Sequence, residues 1–413
     1  MLGWELPPYF AGGAGIVCNQ LLEALHQLGT DVTFIMPSGP EDVYQKMSKD
    51  EPGKPKLKIM VADNTILGGS VKIKRINSLL TAYASSDDYQ KNYNKIMSRI
   101  QGKIKPLYGK NLLEEVQRFA EQVELLVDEE DFDVIHAQDW VTYPAAIALK
   151  KKFNKPMVIH VHITEFDKSG GLHADPRIYA IEKQGMDFAD KIITVSNKVK
   201  EQCINRYFAN PNKIVVVHNA AIPMNNESNH PKVFPEDKIV LFAGRVTLQK
   251  GPDYFIDAAK KVLEKRPNTK FIMAGTGDML PRMIEKAAAM GMANNFIFTG
   301  FYTREEAEKL FGMADVYVMP SVSEPFGLIP YEAQNMRVPT VISKQTGISE
   351  VLMHTLKVDF WDTDEMAHKI LALLQYDALH SSIRDQGYLE AKSTLWTIPA
   401  SKCLNIYREL VHA

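Results

Sequence analysis

The chain has few of the features that mark disulfide-rich, metal-binding, nucleic-acid-binding or membrane-spanning proteins. Its 413 residues include only 3 cysteines, Cys18, Cys203 and Cys403, which are far apart and in no metal-ligand spacing. We therefore expect free thiols in a reducing compartment. The formal net charge of −2 gives no electrostatic footprint for nucleic acid or an anionic membrane. No apolar run reaches the ~18 residues that a membrane-spanning helix needs, and no signal peptide opens the sequence, so we expect a cytoplasmic protein.

Two common catalytic motifs are also missing. The sequence contains neither a G-x-x-x-x-G-K-[ST] phosphate-binding loop nor a G-x-S-x-G nucleophile elbow. ATP hydrolysis and serine-dependent hydrolysis therefore lose most of their support.

The length and the hydrophobic pattern predict two α/β domains. A single core rarely serves 413 residues, so two domains of roughly 200 residues are expected. Short apolar segments alternate with helical patterns in both halves, which is typical of a parallel, doubly wound sheet. The two halves contain similar segments, ADKIITVS (189–196) and ADVYVMPS (314–321). Each begins with Ala-Asp, continues as a predicted strand and ends with Ser. The stretch 81–111 is interpreted as helix and loop.

A segment rich in Asn, Pro and charge, residues 220–237, lacks periodicity and marks the boundary. We predict a first domain over residues 1–220 and a second over residues 221–387. The tail, about 388–413, is predicted to be helical and to cross back onto the first domain.

A glycine-rich turn near the N-terminus precedes a helical pattern. Gly12, Gly13 and Gly15 come before apolar residues at helical spacing, and a strand follows at 31–37. A β-α-β unit with a potential phosphate-binding loop is one interpretation. Close packing of the helix explains the glycines equally well.

Two carboxylates dominate the segment PSVSEPFGLIPYEAQNM (320–336). Glu324 and Glu332 have seven residues between them, in a strand, tight loop and helix pattern. Backbone N–H groups near Gly327 and Leu328, at the start of the predicted helix, could bind an anion. The pattern suggests a ligand with phosphate at one place and hydroxyls at two others, as in a nucleotide sugar. The alternative is that Glu324 caps a loop and Glu332 is a solvated helix residue.

A second loop, GRVTLQKG (244–251), carries Arg245 and Lys250 directly after a predicted strand. Loops at the carboxyl edge of a parallel sheet line its ligand crevice. The planar fork of arginine and the point charge of lysine suit a diphosphate. Two solvated surface cations are the alternative. The turn GTGD (275–278) either lets a backbone approach a nucleotide or is a simple turn.

Two polar positions lie at strand ends in the first half. His162 ends a strand, where a structural role and a ligand role are both open, and His160 lies on the same face. No third ligand has suitable spacing, so we predict no metal site. Asp139 is either a loop cap or a carboxylate that binds the acceptor molecule of a sugar-transfer reaction, with Trp140 beside it as an aromatic platform for a sugar.

Together these motifs resemble one enzyme family. FAGGAG, DVIHAQDW, the strand ending in His162, TVS, GRVTLQKG, GTGD, FTGF and EPFGLIPYE are similar, nearly end to end, to retaining glycosyltransferases of the GT-B fold, group 1 (family 4). EPFGLIPYE matches the family's E-x7-E motif. HAQDW is similar to the HxHDW signature of bacterial and archaeal glycogen synthases, with Gln138 at the second histidine. Ala11 stands where the glycogen-synthase loop often has lysine.

The resemblance implies an architecture and roles for individual residues. It implies an α/β protein with two Rossmann-like, doubly wound domains that face each other across a crevice. Arg245 and Lys250 would stabilise the leaving diphosphate, and Glu324 would bind the donor sugar near its reacting end. On the acceptor-facing side, His162 and Asp139 would lie close to the transferred sugar.

Further donor contacts follow from the same resemblance. Glu332 would bind the ribose hydroxyls, and backbone N–H groups would hold sugar and phosphate oxygens; the donor-binding set is Gly12, Gly13, Phe326, Gly327, Leu328 and Glu332. The family's opening strand is usually longer than the four residues before Glu5, and a natural start upstream is one interpretation of this difference.

The implied activity is transfer of a hexose, with glucose favoured, from UDP-glucose or ADP-glucose to an acceptor hydroxyl with retention and without a metal or other cofactor. Glucan elongation, as in glycogen synthases, is one possibility. Transfer to a small acceptor or to a cell-surface glycan is the alternative within the class. A nucleotide-sugar epimerase and a non-catalytic binding module on the same fold are the other hypotheses.

Overall fold

The computed structural model describes residues 1–7, 13–37, 46–50, 53–62, 112–127, 132–168, 170–171, 173–224 and 236–412. Gly12 and all of the predicted helix and loop at 81–111 lie outside these residues, as do residues 225–235 of the predicted boundary. Two parallel α/β units make up the described part, a first unit up to residue 224 and a second unit from residue 236 to residue 393. The domain limits at 220 and 387 stay a prediction.

All strand pairs of the first unit are parallel. The strands are Val32–Met36 (β1), Leu57–Val61 (β2), Ile135–Gln138 (β3), Met157–Val161 (β4), Lys191–Thr194 (β5) and Ile214–Val216 (β6). Leu2 bridges β1 and β3 in parallel, at Ile35 and Ala137. The order is therefore β2, β1, the Leu2 segment, β3, β4, β5 and β6.

Helices cover this sheet on both faces. They are Gly13–Gln27 (α1), Leu112–Leu126 (α2), Tyr143–Phe153 (α3), Glu165–Lys168 (α4), Pro176–Phe188 (α5) and Asn197–Tyr207 (α6). Their starts follow helix-capping chemistry. Asp175 accepts a hydrogen bond from the Arg177 N–H at the start of α5, and Ser196 accepts one from the Val199 N–H at the start of α6.

The second unit has a six-stranded sheet whose strand pairs are all parallel. Its strands are Lys238–Ala243 (β7), Thr269–Ala274 (β8), Phe296–Gly300 (β9), Val316–Met319 (β10), Thr340–Ser343 (β11) and Leu356–Val358 (β12), in the order β12-β11-β10-β7-β8-β9. β8 and β9 lie on one side of β7, and β10, β11 and β12 lie on its other side. β7 and β10 therefore flank the topological switch point. In such sheets ligands bind outside the carboxyl ends of the strands at this point.

The remaining helices are Pro252–Lys265 (α7), Leu280–Ala289 (α8), Arg304–Met313 (α9), Ile329–Asn335 (α10), Thr363–Gln375 (α11), Asp377–Ser393 (α12) and Thr397–Val411 (α13). α12 packs on α10 and α11, within the second unit. α13 instead packs on α1, and Cys403 and Leu21 share one core. The indole N–H of Trp396 donates to the Ala221 carbonyl at 3.0 Å, where the chain returns.

Two parallel α/β units and a helix that returns to the first confirm the predicted fold class. Two strand ends differ from the sequence pattern. The apolar segment DVIH predicts a strand over residues 133–136, whereas β3 covers residues 135–138, and β4 ends one residue before His162. Within the described residues, no helix combines the length and apolar character needed to cross a membrane.

Candidate active site between the two units

Glycine at position 251 brings the Arg245 loop against the end of β10. Gly251 has φ +66°, and a Cβ there would lie 2.1 Å from the Pro320 carbonyl oxygen. A side chain at this position is excluded both by its backbone conformation and by the available space. The loops that follow β7 and β10 are therefore in direct contact.

Lys250 and Glu324 form an ion pair at this contact. The Lys250 ammonium donates to the Glu324 carboxylate, and their side chains are only 14% and 12% exposed. Arg245 lies on the same loop, with its guanidinium 3.4 Å from the side-chain oxygen of Gln249. The backbone carbonyl of Gln249 accepts the Val322 N–H at 2.9 Å, which holds the two loops together.

The Glu324 loop is also fixed from its other side. The Glu324 N–H donates to the Gln345 carbonyl at 3.3 Å, and its carbonyl accepts the Gly347 N–H at 3.0 Å. The Phe326 carbonyl accepts the Ile348 N–H at 2.8 Å. Backbone hydrogen bonds thus hold the loop that carries Glu324 from this side as well.

The loop then leads into the short helix α10. Gly327 has φ +94°, and a Cβ there would lie 2.9 Å from the Glu324 side chain. Among the hydrogen bonds of the described residues, none is donated by the N–H groups of Phe326, Gly327 or Leu328. These three N–H groups remain available to oxygen atoms of a ligand.

Glu332 lies in α10, one turn beyond this loop, and is partly exposed. Loss of hydration raises the pKa of its carboxyl group, and the charge of Arg304 opposes the rise. Burial is the main cause of the raised pKa of Tyr302, and the charge of Glu332 adds to it. The predicted ribose-binding carboxylate is therefore close to Tyr302 and Arg304, two residues that follow β9.

Asp139 has an unusual backbone and a buried carboxylate. Its φ is +57°, which is strained for a residue with a side chain. Its Oδ1 accepts the N–H of His162 at 2.7 Å and lies 3.4 Å from the N–H of Ile163. The carboxylate therefore fixes the loop after β4, which is the loop-cap interpretation of the sequence.

His162 is buried and held from two directions. Its Nε2 lies 2.6 Å from the side-chain oxygen of Gln138, and its ring stacks on His160 with 4.3 Å between centroids. Burial lowers the pKa of His162, against a smaller raising effect of Asp139. The imidazole is therefore neutral near pH 7.

The first and second units meet beside Glu324. The Ser196 hydroxyl donates to the Pro325 carbonyl at 2.6 Å. The Lys198 ammonium donates to the Ser323 hydroxyl at 2.8 Å, and that hydroxyl donates to the Asp167 carboxylate at 3.0 Å. Ser323 and Pro325, on either side of Glu324, are thus bonded to Asp167 of α4 and to the start of α6.

A further carboxylate of the second unit caps a helix of the first. Glu350 accepts the Asn197 and Lys198 backbone N–H groups at 2.8 and 2.9 Å, and His218 Nε2 lies 2.8 Å from it. Burial alone would raise the pKa of Glu350, but these hydrogen bonds outweigh it and lower the pKa to about 2. Glu350 is therefore ionised at any physiological pH.

The structure brings some predicted residues together and leaves others apart. Arg245, Lys250 and Glu324 form one cluster, and Asp139 and His162 form another. The described hydrogen bonds connect the clusters only indirectly, through Asp167 and the Ser323 loop.

Gly13, from the predicted donor-binding set, begins α1 with open space around it, so packing within the described residues does not demand glycine there. Close packing does apply to Gly15, where a Cβ would lie 2.9 Å from the Glu5 side chain. Gly12 is outside the described residues. No group of three or more candidate metal-binding side chains occurs in the described part of the chain.

Sequence reasoning missed Ser196, Lys198, Ser323 and Glu350 as site residues. Their only signal was the TVS motif that ends at Ser196. The other contacts join residues more than a hundred positions apart, and no local spacing reveals them.

Comparison with known proteins gives two family models that match successive parts of the chain. Residues 79–221 match the model described as Glycosyltransferase Family 4, and residues 224–390 match Glycosyl transferases group 1. An uncharacterised glycosyltransferase of Methanocaldococcus jannaschii is 28% identical over 370 residues, which cover 86% of this chain and 82% of that protein.

Two further proteins are similar. The glycogen synthase of Mycobacterium tuberculosis is 28% identical over 227 residues, and the match spans about half of each protein, 54% in both cases. The Anabaena protein HepE, solved in complex with UDP and glucose, superposes with a TM-score of 0.66 at 15% identity, over 99% of this chain and 98% of HepE. At this identity the superposition shows a shared fold.

Proposed function

Because the chain belongs to the group 1 glycosyltransferases and has their two-unit GT-B fold, we propose that it transfers glucose from a nucleoside diphosphate sugar to an acceptor hydroxyl, with retention of anomeric configuration. The observation that carries the proposal is the partly buried Lys250–Glu324 pair at the switch point of the second sheet, with Arg245 on the same loop. A cation pair for a diphosphate and a carboxylate for a sugar meet there.

The donor contacts follow from this cluster. In the absence of ligand Lys250 and Glu324 neutralise each other. When the donor binds, Lys250 and Arg245 contact the diphosphate, and Glu324 becomes free to accept a hydrogen bond from a sugar hydroxyl. The N–H groups of Gly327 and Leu328 bind sugar and phosphate oxygens, and Glu332 accepts hydrogen bonds from the ribose.

The transfer step balances without a protein nucleophile. The bond between the anomeric carbon and the donor phosphate oxygen breaks, and a bond from the acceptor oxygen to that carbon forms on the same face. The acceptor proton moves to the departing phosphate oxygen. Arg245 and Lys250 stabilise the negative charge that develops on the diphosphate, which is the work of a divalent cation in metal-dependent transferases. Reaction without added metal is therefore part of the proposal.

The acceptor lies on the side of the first unit, near Asp139 and His162. Two acceptor classes remain. A growing α-glucan is supported by the similarity to glycogen synthase, over about half of each chain. A smaller acceptor is supported by Gln138 and Ala11, which depart from the glycogen-synthase pattern.

The test measures nucleoside diphosphate release from UDP-glucose and ADP-glucose with maltooligosaccharides or small polyols as acceptors. We expect release that depends on acceptor and that falls strongly in Glu324→Gln. Glu285→Gln, at an exposed position on α8, is the matched control and should retain full activity. No release from any donor in the panel, or full activity of Glu324→Gln, would overturn the proposal.

Ligand-induced stabilisation gives a second readout. A nucleotide present at 100 times its dissociation constant stabilises the folded state by about 2.7 kcal/mol. Thermal shifts with UDP, ADP and GDP therefore rank the bases even if the acceptor is absent from the panel. We expect the preferred nucleotide to lose its effect in Lys250→Met.

A further inference from the structure

Three buried histidine rings form a row inside the first unit, next to the proposed acceptor side. His136 and His160 stack with 5.5 Å between ring centroids, and His160 and His162 with 4.3 Å. Their exposed fractions are 3%, 2% and 8%. A buried polar row of this kind must satisfy its ring nitrogens or leave them without partners at a cost.

The side chain of Gln138 joins two of these rings. Its Oε1 lies 2.6 Å from His162 Nε2, and its Nε2 lies 3.4 Å from His136 Nε2. The other ring nitrogen of His136, Nδ1, lies 2.5 Å from the Tyr407 hydroxyl on α13. A chain of polar contacts therefore leads from the C-terminal helix through His136 and Gln138 to His162.

The donor and acceptor roles in this chain are set by chemistry. An amide oxygen only accepts hydrogen bonds, so His162 must carry its proton on Nε2. An amide NH₂ group only donates, so His136 Nε2 is the bare nitrogen and His136 Nδ1 carries the proton that is donated to Tyr407. Both histidines are then neutral, each in one defined tautomer.

We propose that Gln138 is a positioning residue that holds His162 in the Nε2-protonated tautomer and leaves Nδ1 as the only ring nitrogen that can bind a ligand. His162 then accepts a hydrogen bond from a hydroxyl of the transferred sugar and donates none. The identity of that ligand rests on the proposed function; the tautomer does not.

The surroundings of His162 agree with a neutral acceptor. The charged and titratable groups that act on this row are His160 on β4, His136 and Asp139 at β3, and the N-terminal amine of Met1, which lowers the pKa of His136. Asp139 is the carboxylate that raises the pKa of His162, and its Oδ1 accepts hydrogen bonds from backbone N–H groups rather than from the imidazole. Burial lowers the pKa of all three histidines.

Two substitutions separate the effects of Gln138. Gln138→Met keeps the size of the side chain and removes the acceptor, so the His162 tautomer is no longer fixed. Gln138→Glu places a carboxylate at the same position, which stabilises the imidazolium and raises the pKa of His162. Gln122→Met, at another buried glutamine of the first unit, is the matched control.

The direct readout is the imidazole tautomer, measured by long-range ¹⁵N–¹H NMR on protein labelled at its 11 histidines. The His162 signal is assigned by its loss in His162→Gln. We expect the Nε2–H tautomer in the wild type and in Gln122→Met, a mixture of tautomers in Gln138→Met, and a signal that titrates at higher pH in Gln138→Glu. A wild-type Nδ1–H tautomer, or an unchanged tautomer in Gln138→Met, would overturn the proposal.

Kinetics give the second readout. We expect kcat/KM for the donor to fall roughly tenfold or more in Gln138→Met, and the acidic limb of the pH–rate profile to move to higher pH in Gln138→Glu. Thermal melting confirms that each variant is folded. Since the NMR experiment needs no substrate, it decides the role of Gln138 even if the panel of sugar donors gives no turnover.

Discussion

The hydrogen bonds of Glu350 should stabilise the closed arrangement, in which the two units are in contact as in this structure. Glu350 belongs to the second unit and bonds to Asn197, Lys198 and His218 of the first. Glu350→Gln keeps the shape of the side chain and removes the charge. One amide oxygen can still accept, but the NH₂ group that replaces the second oxygen faces N–H donors. We therefore expect the closed arrangement to lose stability.

The lowered pKa of Glu350 sets the expected size of this loss. The lowering of the Glu350 pKa from 4.5 to about 2 corresponds to about 3 kcal/mol between the charged and protonated forms. The side chain is 21% exposed, and solvent screening and the remaining acceptor oxygen reduce the effect. We expect a loss of about 1–2 kcal/mol, which is a shift of roughly five- to thirtyfold from the closed arrangement toward an open one.

The pH dependence has a defined sign. Because the pKa of Glu350 is lowered in the folded protein, its stabilisation is complete above the ordinary pKa of 4.5 and is lost as the pH falls toward 2. The effect of Glu350→Gln should therefore be constant between pH 6 and pH 8. The wild-type protein should begin to open only below about pH 4.5.

Small-angle X-ray scattering measures the radius of gyration, and steady-state kinetics measure the donor KM. Glu350→Gln should have a larger radius in the absence of ligand and a KM raised up to about thirtyfold, with a smaller change in kcat because bound donor restores closure. Glu285→Gln on α8 should match the wild type in both. A wild-type radius together with a wild-type KM in Glu350→Gln would refute the reasoning.

Three further predictions test other parts of the structure. Lys250→Met should lower kcat roughly a hundredfold, because the leaving diphosphate loses a cation, while EDTA should leave the wild-type rate unchanged. Gly251→Ala should lower the free energy of unfolding by about 2–4 kcal/mol in urea titrations, because the Cβ would lie 2.1 Å from the Pro320 carbonyl oxygen. Gly291 has φ +75° but open space around it, so Gly291→Ala should lower the free energy of unfolding by only about 1 kcal/mol. Burial raises the pKa of Glu182 to about 8. Between pH 5 and pH 8 the native state therefore holds a proton that the unfolded state has lost, so the melting temperature should fall as the pH rises through this range. Glu182→Gln should remove that pH dependence.

Much of the fold and of the donor cluster could be predicted from the sequence because it depends on local pattern. Strands of a parallel sheet end at one edge, so a loop that carries Arg245 and Lys250 and a loop that carries Glu324 were expected to meet. The Ala-Asp pair that precedes a strand in both halves also has a physical basis. Asp190 and Asp315 each accept the N–H of a residue in a neighbouring parallel strand, Met157 and Ile239.

The parts that could not be predicted depend on burial of polar residues and on how the units dock. The apolar residues of DVIH predict a strand that ends at His136, whereas Leu2 pairs with β3 further along and extends it to Gln138. Glu350 gave no signal because its partners lie in the other unit. The role of Gln138 appears only when the ring nitrogens around it are assigned.

The packing of α13 on α1 has a consequence for biosynthesis. Cys403 and Leu21 share one core although they come from opposite ends of the chain. During translation, α1 leaves the ribosome early, and the helix that covers it is made after the whole second unit. The first unit therefore keeps an apolar face open until residues 397–411 have been made, and this folding step joins sequence-distant segments, which is slow compared with local contacts. A chain that stalls before residue 397 exposes that face and becomes a candidate for aggregation or chaperone binding.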